Sequence, residues 1–440
     1  MPDGSTFLRA ILDNPDDDTA RLVYADWLEE HGGEADAVRA EFIRVQCELW
    51  KTEAHTPRYR KLEKRETALL KAHKKEWAAP FKGQALFLRF YRGFIEDLTV
   101  NAHTFCQRGG RWFDEVPLRR VKMSNINPAA ARPVPIAEVL AVPHISRLRE
   151  LDLDHSAPGS EIARALADCP ALGGLRWLSL AFTEPDPEGL RRVLCSPHLA
   201  AVRSLDLSQS PTSRQGGVAE LQRFLLTPRE EYQLSPEQRG HLGDDGARRL
   251  ASAPNVAGLT ELNLSGNSLT NDGVRSLADA EGLRSLTTLR LDENWTVGDE
   301  GIADLAGSPH LGELRVLSLK SCRGVGDGAL RALAGSSTLT RLRELNLSAA
   351  ERFRLPFSSG RGTGGITDAG IMALASSPNM AGLRFLDLEG HRVTNAGAEA
   401  IAASPHLAGL GYLNLRDNPL DEARAILRKR FGPGVCTFSG

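Results

Sequence analysis

The chain predicts an α/β solenoid, with a parallel sheet on one side and helices on the other, preceded by a small helical domain. Three observations predict it. Leu-x-x-Leu-x-Leu segments recur at a near-constant spacing. Each is followed by a short polar turn and a helix start of the type Thr-Asn/Asp-x-Gly. The 440 residues are also too many for one compact core. One stretch holds a complete unit and the opening of the next: Leu383, Leu386 and Leu388, then Val393-Thr394-Asn395-Ala396-Gly397, small residues, Ser404-Pro405-His406-Leu407, and finally Leu410, Leu413 and Leu415.

Composition narrows the function classes. Lys and Arg number 54 against 56 Asp and Glu, a net charge of −2, so the whole chain offers no electrostatic case for nucleic acid or a membrane. The six cysteines include no Cys-x-x-Cys pair, which speaks against both a zinc site and a disulfide framework. Neither a basic-then-apolar leader nor an apolar run of roughly 18 residues is present, and a cytoplasmic location is expected.

Residues 1–50 read as three short helices. Phe7, Leu8, Ile11 and Leu12 stripe the first; Asn14-Pro15 reads as the cap of a second that carries Leu22, Val23, Trp27 and Leu28 to His31-Gly32-Gly33; Phe42, Val45 and Leu49 stripe the third. The run Leu22-Val23-Tyr24-Ala25-Asp26-Trp27-Leu28-Glu29-Glu30 resembles the core of a bacterial repeat-companion domain, a module that accompanies repeat arrays. The resemblance covers about a tenth of the chain and supports the repeat reading without supplying an activity. Tyr24, Asp26 and Trp27 are expected to be core plus one polar pair rather than a ligand pocket. Residues 51–92 carry twelve basic and four acidic side chains, the reverse of the four and twelve in 1–50. They read as a basic helical connector with Leu62, Leu69 and Leu70 on its apolar stripe, its charge attracted to the acidic helices before it; an anionic partner is the lesser alternative.

The array is expected to span 93–420. Anchors begin at Leu148, Leu175, Val202, Leu259, Leu286, Leu314, Leu342, Leu383 and Leu410, with degenerate first copies at Phe94 and Leu118. Two intervals are too long, which places insertions at about 211–241 and 350–364. Residues 421–440 read as a C-terminal cap. A period of 27 to 28 with a helix in each unit resembles the ribonuclease-inhibitor type of leucine-rich repeat and implies a horseshoe with the sheet on its concave face. In that type the ninth position is Asn or Cys, bonding the turn; here it is Asn267, Asn294, Cys322 and Asn418, while Ser156, Thr183, Ser210, Ala350 and His391 imply looser turns.

No arrangement of chemistry survives inspection. His144, His198, His310 and His406 each precede an anchor by four residues, but they skip repeats and so lie about 10 Å or more apart, too far to share a metal. The Gly360 to Gly365 match to Gly-x-Gly-x-x-Gly falls in an insertion, without the strand and helix that a phosphate cradle needs. No cofactor, metal or catalytic residue is expected. The open strand positions instead form columns. The third position gives Glu150, Trp177, Glu261, Glu344, Phe385 and Tyr412 among others, the fifth Asp152, Asp206, Arg290 and Asp387, the seventh Asp292. Across the columns nine acids face three bases, which favours a basic protein over nucleic acid. Aromatic anchors ringed by charge suit a protein interface, although Phe385 and Tyr412 could equally stack on each other as sheet neighbours. A non-catalytic cytoplasmic scaffold that binds a protein on its concave face is the expected function. Alternatives are an enzyme regulator, such as an inhibitor or GTPase-activating-like protein, and an adaptor for ubiquitin-like degradation.

Overall fold

The computed structural model describes residues 4–52, 56–124, 126, 134–156, 159–209, 241–349, 365–432 and 434–438. Both insertions, apart from His241, lie outside these, as do Ser210, Ala350 and residues 360–364 of the glycine-rich match. The chain forms two compact units: one is residues 1–156 with 169–175, the other 157–168 with 176–440.

In the first unit, α1 (Gly4–Asp13), α2 (Asp18–His31) and α3 (Glu34–Lys51) are the expected three helices. The cap of α2 is Asp17, which accepts from the Thr19 amide at 2.8 Å; Asn14-Pro15 forms the turn before it, not the cap. Ile11, Ala25, Leu28, Ala40, Ile43 and Cys47 make a core to which Tyr24 and Trp27 add their rings. Asp26 is exposed and takes Arg44 at 2.7 Å. Val23, expected inside, is 42% exposed, while Arg21 is fully buried. The basic helix α4 (Pro57–Trp77) starts with Thr56 as cap and Pro57 in the first turn, and it packs on α3, with Trp77 4.6 Å from Phe42. Residues 85–91, expected within a helical connector, are instead a strand. This strand, β1 (Ala85–Tyr91), pairs antiparallel with β2 (Phe94–Asn101) through the Arg92-Gly93 turn, where both residues have positive φ. After α5 (Ala102–Glu115) come β3 (Arg120–Ser124), α6 (Ile136–Leu140) and β4 (Glu150–Asp152), with β2, β3 and β4 parallel.

The second unit is the regular array. Its strands are β5 (Trp177–Ser179), β6 (Ser204–Asp206), β7 (Glu261–Asn263), β8 (Thr288–Arg290), β9 (Val316–Ser318), β10 (Glu344–Asn346), β11 (Phe385–Asp387) and β12 (Tyr412–Asn414). All pair in parallel, and β13 (Cys436–Thr437) of the cap adds to β12. The helices of the array are α7 (Gly159–Ala167), α8 (Pro187–Cys195), α9 (Gly243–Ala251), α10 (Asn271–Ala278), α11 (Asp299–Gly307), α12 (Asp327–Gly335), α13 (Asp368–Ser376), α14 (Asn395–Ala403) and α15 (Ala423–Phe431). The anchor leucines from Leu259 to Leu415 are all buried, each stabilising its repeat by on the order of 2 kcal/mol.

Polar side chains lock each repeat to the next. Thr270, Thr367 and Thr394 cap their own helices at 3.2 to 3.3 Å. The Asp or Asn one residue on reaches instead to the following helix start: Asp244 takes the Thr270 amide, Asn271 that of Gly298, Asp299 that of Gly326, Asp327 that of Thr367, Asp368 that of Thr394 and Asn395 that of Asp421, at 2.7 to 3.1 Å. The serines that close the helices, three of them followed by proline, form another ladder. Ser308, Ser336, Ser377 and Ser404 donate to an alanine carbonyl of the preceding helix at 2.5 to 2.6 Å and accept from the amide two residues on. His310 and His406 contribute backbone amides to this ladder, as Thr338 and Asn379 do at the same place.

The ninth-position ladder is tighter than expected at one place. Asn267, Asn294, Cys322 and Asn418 each donate to a carbonyl of the preceding repeat, as expected. His391 does the same: Nε2 lies 2.7 Å from the Leu347 carbonyl, and Nδ1 accepts from the Ile366 amide at 3.4 Å, matching the donor and acceptor of Asn418 toward Leu388 and Val393. The His391 turn is therefore built like those of Asn267, Asn294 and Asn418, by an imidazole in place of an amide, while Ala350 lies outside the described residues. These partners require the neutral ring with its proton on Nε2.

Burial, reinforced by Arg392, pushes the His391 pKa below the ordinary histidine range. The unfolded chain therefore takes up this proton first, so the contribution of His391 is complete above pH ~6.5 and is lost as pH falls through that value toward the folded pKa. Urea titrations at pH 7.5 and 5.5 should show a loss in wild type, at most about 1.4 kcal/mol per pH unit from this group, that His391→Asn lacks. Equal losses in both proteins would remove His391 from the account.

Candidate functional site

The expected columns are in register. In the second unit Trp177, Ser204, Glu261, Thr288, Val316, Glu344, Phe385 and Tyr412 lie side by side, as do Ser179, Asp206, Asn263, Arg290, Ser318, Asn346, Asp387 and Asn414. The third column is the open one. Glu261 and Glu344 are exposed, and Trp177, Phe385 and Tyr412 are half-buried. Phe385 and Tyr412 stack face to face, with centroids 4.4 Å apart and planes 5° apart, so each ring covers part of its neighbour.

The fifth column has a structural task that its residue types hide. Asp206, Asn263, Asn346, Asp387 and Asn414 each accept from the backbone amide two residues on, at 2.8 to 3.1 Å, bending the chain out of the strand. Asp206 also takes Asn263 at 2.9 Å, and Asn414 donates to Glu389 at 3.0 Å. Asp387 is buried, and that burial pushes its carboxyl above the usual carboxylate range. Where Arg290 replaces the short polar residue, Asp292 takes over, accepting from Ser318 Oγ at 2.5 Å and the Lys320 amide at 2.9 Å. The Arg290 side chain is exposed and has no hydrogen-bond or ion-pair partner among the described residues, and the same holds for the Glu344 side chain. Among the described residues the Glu261 carboxylate accepts from Ser204 Oγ alone, at 2.9 Å.

In the first unit the acids meet bases that the column analysis left out. Arg120 and Lys122 of β3 stand beside Glu150, Asp152 and Asp154: Arg120 is 3.6 Å from Glu150 and 3.4 Å from Asp152, and Lys122 is 3.0 Å from Asp152 and 3.1 Å from Asp154. Asp152 is 2% exposed; burial, then the charge of Asp154, raises its pKa, and Lys122 opposes the shift. The signal for Arg120 and Lys122 was available, since they hold the third and fifth positions after Leu118.

The eleven expected contact residues thus fall into three sets. Glu261, Arg290 and Glu344 point into solvent. Trp177, Phe385 and Tyr412 offer partly covered rings. Glu150, Asp152, Asp206, Asp292 and Asp387 are engaged by their own chain. Among the described residues no group of three or more His, Cys, Asp or Glu could hold a metal ion, and no helix is long and apolar enough to cross a membrane.

Parallel strands, outer helices and leucine anchors at this period define a leucine-rich-repeat solenoid. The chain carries leucine-rich repeats: the model of a leucine-rich-repeat family matches residues 259–278, 282–306 and 383–402. No curated protein matches it in sequence. Among solved structures it is similar to an internalin from Listeria monocytogenes, at 16% identity over 73% of this chain and 68% of that one, with a TM-score of 0.40. It is also similar to a chain of the complex of Rad7 and Elc1 in yeast, at 17% identity over 92% of each chain, with a TM-score of 0.40.

Proposed function

We propose that this is a non-catalytic, cytoplasmic scaffold of the ribonuclease-inhibitor-like type, with a repeat-companion module in its first fifty residues and a binding site for a basic protein on the strand face of the second unit. The observation that carries the reading is the in-register third column, where Glu261, Glu344 and the Phe385–Tyr412 stack stand on a rigid parallel sheet. Helices of eight or nine residues at a period of 27 to 28 support the repeat type. The partner is taken as protein rather than nucleic acid because the three columns of the second unit carry six acids against three bases, a balance that would repel phosphates.

The test is affinity purification with mass spectrometry from the native cell extract, using wild type, a Trp177→Ala/Phe385→Ala/Tyr412→Ala variant and a Glu261→Lys/Arg290→Glu/Glu344→Lys variant, each with wild-type circular dichroism. A protein retained by wild type and lost by about tenfold with the charge variant is the expected result. An identical set of proteins from all three removes the face from consideration. Stimulation of a GTPase, or co-purifying ubiquitin-like machinery lost with the same variants, would instead select a regulator or an adaptor.

A further inference from the structure

The first unit has a second surface that the repeat array does not use. It lies at β1, which pairs with β2 on one side and with no strand on the other among the described residues. Gln46 of α3 caps the Phe90 carbonyl at 3.1 Å, so the open edge runs from 85 to 89, a length of about 17 Å. The pairing with β2 slips between Ala85 and Phe87, leaving Leu86 without a partner across the pair. Leu86 is 69% exposed and Phe87 is 48% exposed, the first and third largest exposures among the exposed large apolar side chains of the described residues. A bulge that turns two adjacent apolar residues outward beside an open edge is costly to keep in water, and bulges commonly re-aim side chains for recognition.

The charge around this edge is mainly positive, with Asp97 across the pair from Arg89 as the one nearby acid of β2 acting on it. Lys74 Nζ lies 5.8 Å from the centre of the Phe87 ring, and the Arg89 guanidinium lies 5.2 Å from it. Lys74 and Lys75 lie three and four residues beyond Lys71 on α4, and none of the three has an ion-pair partner among the described residues. The Arg58 and Arg65 charges of the same helix, by contrast, are taken by Glu48 and Glu41. The acidic helices thus neutralise one part of α4 and leave the part beside β1 open.

We propose that the β1 edge docks an extended acidic segment of a partner protein, which adds a strand beside 85–89, places an apolar side chain against Leu86 and Phe87, and sets its carboxylates on Lys74 and Arg89. Backbone pairing supplies affinity, and the apolar and charged contacts supply selectivity. A second copy of this chain is disfavoured by charge, because pairing two such edges would gather Lys74 and Arg89 of both copies around the same Phe87 rings. A lipid surface matches the charge but offers no strand to pair the open amides and carbonyls.

The full-length protein is titrated into a fluorescein-labelled peptide of alternating Asp or Glu and Val, Phe or Leu, with anisotropy as the readout. The comparison ligands are the same peptide with Lys in place of its acids and, by co-sedimentation, phosphatidylserine vesicles. Saturable binding of the acidic peptide is expected, weakened about tenfold both by Leu86→Ser/Phe87→Ser and by Lys74→Glu/Arg89→Glu. Added salt should weaken it too, while the strand-face variants of the second unit should bind as wild type. Both edge variants replace exposed side chains and should melt with wild type. The proposal is overturned by absence of binding, by equal binding of the lysine peptide, by full binding to either edge variant, or by a protein that pellets with vesicles and ignores the peptide.

Discussion

Replacing Asp244 by alanine is expected to cost about 3 kcal/mol of unfolding free energy. The Asp244 carboxylate accepts two hydrogen bonds from Thr270, one from the amide at 2.8 Å and one from Oγ1 at 2.6 Å. Bonds to a charged acceptor contribute about 1.5 to 3 kcal/mol each, and partial exposure places these at the low end. The carboxylate also sits at the amino-terminal end of α10, where negative charge is favoured. Gly273 completes the device. A Cβ there would lie 2.3 Å from Asp244 Oδ1, so Gly273→Ala should cost about 2 kcal/mol by pushing the carboxylate aside. With Asp244 already alanine, the nearest remaining atom to that Cβ is Leu269 Cδ2 at 3.3 Å. In that background Gly273→Ala should instead stabilise by about 0.5 to 1 kcal/mol, the ordinary helix preference of alanine over glycine. Urea unfolding of the four proteins measures the coupling, and additive effects would sink the explanation. In a solenoid each repeat is held by its neighbours, so the loss should appear first as faster amide exchange around Thr270.

The same ladder shows what sequence reading reached. The Leu-x-x-Leu-x-Leu anchors announce strands and inward faces directly, because a period of two and a fixed repeat leave no alternative register. The Thr-Asn/Asp-x-Gly starts announce helix caps, but whether a carboxylate caps its own helix or the next depends on the stacking distance between repeats. The fifth column failed in the same way: an Asp on an open strand face reads as a binding residue, and its bond to an amide two residues on is seen only once the backbone bends. That bend needs a left-handed residue just before the ninth position. Gly266 and Gly390 reveal it, whereas His155, Phe182, Glu293, Ser321 and Asp417 take the same positive φ without the glycine that would advertise it. His391 reads as a departure from the asparagine pattern and is an equivalent of it, because what the turn requires is a donor and an acceptor at the right separation.

The largest single loss is expected in the first unit, at Glu96. Its carboxylate lies 2.8 Å from Arg21, 3.1 Å from Arg92 and 3.9 Å from Arg119, and the side chains of Arg21, Arg92 and Glu96 are all nearly or fully buried. Burial raises the Glu96 pKa and lowers that of Arg21, each against the pull of its partner, so desolvation outweighs the pairing on both sides. Such a cluster adds little net stability, yet removing one member strands the others. Glu96→Ala would leave two buried guanidiniums facing each other with Asp18, 3.4 Å from Arg92, as the remaining close carboxylate, and each already has an Nε without a hydrogen-bond partner. A loss of about 3 to 5 kcal/mol should follow in urea unfolding. Arg21 also donates to the Pro15 carbonyl at 2.8 Å and the Arg92 carbonyl at 3.1 Å, a three-way fork that lysine cannot copy, so Arg21→Lys should be costly despite keeping the charge. The deciding comparison is the Arg21→Met/Glu96→Leu double variant, which removes one charge of each sign and fills the space with apolar atoms. It should lose less than Glu96→Ala alone. If it loses the sum of the two single losses, the charges act independently, and the buried position of Arg21 needs another cause than Glu96.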